Sequence, residues 1–172
     1  MSKTLDHTSL LRRAVIDSGP LMDLLTLQWA SKSRIRPSTP LDTLSSYLQR
    51  DVEKRGRFEK FVEAVPSLLT TSHVIGELQG LSKKLSGSYQ REFWTSTMEY
   101  LEELKYEERL ITFKDTSRDR LPIREIGPTD CGLIRLATLE CCSLLTNDRR
   151  LKGKAQSIAN IDGRLMEEVV GT

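Results

Sequence analysis

Four carboxylates in the 172-residue chain stand where their chemistry could be pooled. Asp17 directly follows the apolar run Ala14-Val15-Ile16, and Asp148 closes the segment Ser143-Leu144-Leu145-Thr146-Asn147-Asp148, so both lie just past the end of a predicted strand. Asp130 opens a predicted helix, whose positive end favours the ionised acid. Glu77 sits inside another helix, near Ile75 and Leu78. Carboxylates gathered at one sheet edge repel one another unless a cation or a proton compensates them. Mg2+ or Mn2+ would serve, because these ions take oxygen ligands and keep several waters, so three or four acids suffice without His or Cys. Such a site could ionise a water and stabilise charge on a phosphodiester during in-line displacement.

Each acid also has an ordinary reading. Asp17 can cap the helix after its strand, Asp130 can be only a dipole partner, Asp148 with Arg149 can form a turn with an ion pair, and Glu77 can be solvated surface. Ser18, Thr146 and Asn147 are types that orient ligands or waters, and turns select the same types. His73 lies one helical turn before Glu77 but reads as a satisfied histidine rather than a general base. Cys131, Cys141 and Cys142 cannot all pair within the chain, and His7 and His73 lie far from them, so neither a disulfide scaffold nor a zinc site is expected. They read as buried, reduced thiols.

The elements that must position these residues follow from apolar spacing. Ala14–Ile16 reads as a strand, and Leu21, Leu24, Leu25 and Trp29 as the helix after it, with Pro20 in the first turn, where its missing N–H costs nothing. Residues 31–40 read as an exposed connection. Leu41, Leu44 and Leu48 mark one amphipathic helix, and Phe58, Phe61, Val62 and Val65 mark a second, with Lys54, Arg55, Arg57 and Lys60 as a basic cluster. A strand is expected at 68–72 and a helix through Ile75, Leu78 and Leu81. A long charged helix is expected over 88–108, with Phe93, Met98, Leu101 and Leu104 inward. Leu110–Phe113 reads as a strand and 123–126 as an extended piece or turn. Thr129 reads as the cap of a helix over 130–142, followed by a strand at 143–146, a helix through Leu151 and Ala155, and a last strand near Ile161. Strands alternating with helices predict an α/β fold on a parallel sheet, with Asp17 and Asp148 at its carboxyl edge, where such folds bind ligands.

The 26 basic and 24 acidic groups leave a net charge of only +2, which excludes polycationic binding by the whole chain. The basic groups form local clusters instead, one of which, Arg149, Arg150, Lys152 and Lys154, directly follows Asp148. The length suits one domain over 1–172. No run approaches the ~20 apolar residues of a membrane span, and charges interrupt Leu5–Arg13, so a soluble, cytoplasmic protein without membrane contact is expected.

In this order, Ala14-Val15-Ile16-Asp17-Ser18, Ser72-His73-Val74-Ile75-Gly76-Glu77-Leu78, Thr129-Asp130-Cys131-Gly132 and Leu145-Thr146-Asn147-Asp148-Arg149-Arg150-Leu151 resemble the PIN domain, a family of ribonucleases that includes VapC-type toxins. The resemblance implies a three-layer α/β/α fold with a central parallel sheet, from which residues 31–66 depart as a helical insertion that would clamp substrate or bind a partner. It implies that Asp17, Glu77, Asp130 and Asp148 surround one or two Mg2+ or Mn2+ ions and carry the catalysis, with Ser18, Thr146 and Asn147 in support. Arg149, Arg150 and Lys152 would meet the phosphates of an RNA substrate. An antitoxin protein and a homodimer are the partners that the toxin branch implies. A catalytically silent RNA- or protein-binding module of the same fold is the alternative. A phosphatase of the haloacid-dehalogenase type would need a second acid where Gly19 stands, and a receiver domain an acidic pair and a distal lysine in an arrangement not found in the chain.

Overall fold

The computed structural model describes residues 12–33, 52–118, 123–165 and 167–168. Five strands, β1 (Ala14–Ile16), β2 (Leu68–Thr71), β3 (Tyr106–Arg109), β4 (Ser143–Thr146) and β5 (Gly163–Leu165), form one sheet in the order β3-β2-β1-β4-β5. All four pairings are parallel, and β1 is in register with Leu68-Leu69 on one side and Ser143-Leu144-Leu145 on the other. The eight described helices are α1 (Ser18–Ser33), α2 (Val52–Ala64), α3 (Ser72–Ser82), α4 (Gly87–Glu103), α5 (Phe113–Arg118), α6 (Ile123–Ile126), α7 (Pro128–Leu139) and α8 (Arg149–Ala159). With the right-handed crossovers that parallel strands take, this order puts α1 to α4 on one face of the sheet and α7 and α8 on the other, giving three α/β/α layers. The helix contacts agree, α1 packing on α2, α3 and α4, and α7 on α5, α6 and α8.

The central strands are apolar on both faces and fully buried, as a sheet covered by helices requires. Helix α1 is buried around most of its circumference, through Leu21, Met22, Leu24, Leu25 and Trp29, because sheet and α4 enclose it. Trp29 meets Phe93 of α4 edge-on, ring centres 5.7 Å apart. Phe58, Phe61 and Val62 of α2 join the same core, so this part of the 31–66 segment is integral to it. The helix expected around Leu41–Leu48 lies outside the described residues.

Several boundaries differ from expectation. The third strand is Tyr106–Arg109 rather than Leu110–Phe113, and Leu110 and Phe113 are exposed. Thr112 instead starts α5 in a reciprocal cap, its N–H bonding to the Asp115 carboxylate at 2.9 Å while the Asp115 N–H bonds back to Thr112 Oγ1 at 3.2 Å. In α4, Phe93, Ser96, Thr97 and Tyr100 face inward and Met98 faces solvent. Residues 123–126 are helical. Gly127, not Thr129, caps α7, at a φ of 87° that favours glycine, with Pro128 opening the helix. That helix ends at Leu139, and the last strand is Gly163–Leu165.

Candidate active site

The sheet order reverses between β1 and β4, and the edge beyond their carboxyl ends is the position at which open α/β sheets take ligands. Asp17 is fixed at that point. Its N–H still pairs with Leu145 O at 3.0 Å, while its carbonyl accepts from the Leu21 N–H at 3.1 Å, so one residue ends β1 and begins α1. The side chain is only 8% exposed. Its Oδ1 accepts from the Ser18 N–H at 2.6 Å and the Ser18 hydroxyl at 3.2 Å, and its Oδ2 accepts from the Thr146 hydroxyl at 2.7 Å. A carboxylate offers about four lone-pair positions, so room for a cation remains. Thr146 Oγ1 also accepts from the Asp148 N–H at 3.0 Å, so this hydroxyl ties the ends of both central strands.

Asp148 caps α8. Its Oδ1 accepts from the N–H groups of Arg150 at 2.7 Å and Leu151 at 3.2 Å, while the side chain as a whole is exposed. Asp130 stands in the first turn of α7, half-buried. Glu77 is exposed on α3, and His73, one turn earlier, is exposed as well. Burial, then the charges of Asp17, Asp148 and Glu77, push the Asp130 carboxyl up to about 7, with Arg150 opposing. Burial also raises Asp17, with Glu77 adding to it against the hydrogen bonds from Thr146 and Ser18. The four acids thus share one negative field.

Among the described residues no three acids, histidines or cysteines are grouped closely enough to hold a metal ion between them. The donor set fits a hard divalent ion all the same, because Mg2+ binds through one or two carboxylates and keeps water at its other positions. A buried acid at a strand end, facing like charges, is also the setting that a cation relieves.

The basic cluster on α8 is engaged within the molecule. Arg149 pairs with Glu167 at 2.7 Å, Lys152 with Glu168, Lys154 with Glu125, and Arg150 donates to the Glu125 carbonyl. Asn147, exposed, donates from Nδ2 to Asp23 Oδ2 at 3.1 Å. Sequence reasoning missed Asp23. It is 4% exposed, and the one sign of it in the sequence was a charge set within the apolar run Leu21 to Leu25. Cys131 is buried and Cys142 half-buried, both raised to about 11 mainly by burial, whereas Cys141 is exposed in the turn after α7, contrary to expectation.

A family profile described as PIN domain matches residues 43–156, about two thirds of the chain. The match includes Glu77, Asp130 and Asp148 and begins after β1, so Asp17 lies outside it. No curated protein matches the chain. PIN domains are commonly nucleases and typically use divalent metals. With the profile match spanning most of the sheet and the parallel three-layer architecture around it, this chain belongs to the PIN-domain family.

Proposed function

We propose that the protein is a Mg2+- or Mn2+-dependent endoribonuclease that hydrolyses RNA phosphodiester bonds at the carboxyl edge of β1 and β4. The observation that carries this reading is the convergence beyond the carboxyl ends of β1 and β4, where the Thr146 hydroxyl links Asp17 to the Asp148 turn and the charges of Asp17, Asp148 and Glu77 act on Asp130. Asp17 and Asp130 would hold the principal ion, and Glu77 and Asp148 would complete its surroundings or orient water. The bound ion would supply Lewis acidity toward the phosphoryl group and a more acidic water.

The protein's own groups prepare that site. The Thr146 and Ser18 donors fix the orientation of the Asp17 carboxylate, so that both oxygens are placed before any ligand arrives. Asp148 is held by the first turn of α8 through Oδ1. Arg149, Arg150 and Lys152 would exchange their present carboxylate or carbonyl partners for RNA phosphates, which positions the strand without reading its bases. On the same reading the chain acts as the toxin of a toxin–antitoxin pair, for which the family resemblance is the support. A small co-transcribed gene that relieves growth arrest on expression would bear that out, and harmless overexpression of the active protein would oppose it.

The test is cleavage of a mixed RNA panel with Mn2+, followed by end-group analysis. The reading expects fragments with 5′-phosphate and 3′-hydroxyl ends, lost on adding excess EDTA and in Asp130→Asn. Cleavage that continues in EDTA would overturn it. Tight RNA binding without metal affinity or turnover would favour a silent binding module, a reading supported by the exposure of Glu77 and the capping role of Asp148.

A further inference from the structure

The turn that carries Thr146 and Asp148 is braced from the opposite element by a contact that the proposed chemistry does not itself use. Asp23 lies on α1 beyond the Asp17 turn and is 4% exposed, a costly place for a carboxylate unless it is bonded. Its Oδ2 accepts from Asn147 Nδ2 at 3.1 Å. Asn147 reaches it over Gly19, where an added Cβ would stand 3.3 Å from the Asn147 Nδ2. The first turn of α1 therefore leaves a slot for this one side chain. Asn147 is flanked by Thr146, which bonds the Asp17 carboxylate, and by Asp148, whose N–H bonds Thr146.

We infer that Asp23 is a positioning residue, which through Asn147 and the Gly19 slot fixes the β4–α8 turn so that Asp148 and Thr146 meet Asp17 in the geometry that binds a divalent ion. The inference rests on the proposed metal-dependent reading for its consequence, but the brace belongs to this chain's own residues. Groups bonded directly to metal ligands typically govern affinity about 10–100-fold, and a brace acting through the residue next to Asp148 belongs at the lower end of that range.

The experiment measures Mn2+ binding calorimetrically on the full chain in wild type, Asn147→Ala, Asp23→Ala, the double variant and Asp23→Asn. Asn147→Ala leads because its exposed side chain can be removed without opening the core, and a thermal melt checks that each variant folds. The expected result is an affinity about tenfold or more weaker in each alanine variant, the double variant no worse than either, and Asp23→Asn close to wild type, because its amide oxygen still accepts from Asn147. Gly19→Ala should move affinity the same way. Amide exchange at Asp148 and Leu151 in metal-free protein should quicken in Asn147→Ala. Affinity within twofold of wild type in Asn147→Ala, or single effects that multiply, would overturn the inference while leaving the nuclease reading intact. If wild type bound no Mn2+, the nuclease reading would fall. The brace would then be judged by exchange alone, with unchanged rates counting against it.

Discussion

Asp130 makes the electrostatics of the site measurable without substrate. Its folded carboxyl titrates near 7 against 3.8 for the model acid, so the folded protein holds this proton more tightly than the unfolded chain does. The associated stability is complete below about pH 4 and is lost as pH rises through about 7. Metal-free protein should therefore melt lower at pH 8 than at pH 5. Asp130→Asn should recover on the order of 1–2 kcal/mol at pH 8, a figure discounted for the partial exposure of the group. Mg2+ should restore wild type at pH 8 and do little for the variant. Melts of both proteins at the two pH values check this, and identical pH dependence would contradict it. Thr146→Val removes the hydroxyl shared by Asp17 and the Asp148 N–H, and should cost about 1–3 kcal/mol because a buried acceptor loses its donor. Chemical denaturation reads that loss. The positions of Asp17 and Asp148 just past strand ends were legible in sequence because an apolar run stops before each, and that of Asp130 because it opens a helical pattern. Asp23 was not, because nothing in a run of leucines tells which side of a buried helix will face a turn from another strand.

At the scale of elements, β1, β2 and β4 could be read from sequence since each is a short apolar run closed by a turn, the signature of strands covered on both faces. Strand β3 could not. Tyr106-Glu107-Glu108-Arg109 is an edge strand with one partner, and charged edges are how sheets avoid further pairing, so its polarity hid it and the apolar Leu110–Phe113 drew the assignment instead. The Thr112 to Asp115 spacing was the available sign that a helix starts there. In α4 the inward stripe runs through Phe93, Thr97 and Tyr100, which leaves Met98 on the far side, so hydrophobicity alone misled where periodicity would have corrected it. The seam between α8 and β5 gives a sharper expectation. A Cβ on Gly163 would lie 3.2 Å from Lys152 Cα and carbonyl oxygen, both backbone atoms that cannot turn aside. Gly163→Ala should thus destabilise by about 1–3 kcal/mol, read as a lower denaturant midpoint, and an unchanged midpoint would show that the seam is loose.

For the whole molecule, the near balance of 26 basic and 24 acidic groups acquires a structural meaning. Part of the acid charge is concentrated at the switch point, and the cations of α8 are paired with Glu125, Glu167 and Glu168. On the proposed reading RNA would displace those partners, so Glu167→Gln with Glu168→Gln should tighten binding several-fold at low salt. Arg149→Ala with Lys152→Ala should weaken binding evenly across sequences and reduce the log–log salt slope by about 1–2. Filter binding at several salt concentrations measures both. Among the described residues no helix is long and apolar enough to cross a membrane. The profile match and the sheet establish the family, while the acids supply the reason to assign hydrolysis. The most direct measurement is the rate of RNA cleavage in Mn2+ by wild type and by Asp17→Asn, purified and assayed side by side with matched melting temperatures. The account predicts cleavage by wild type and a loss of about a thousandfold or more in the variant, whereas equal rates in the two proteins would contradict it.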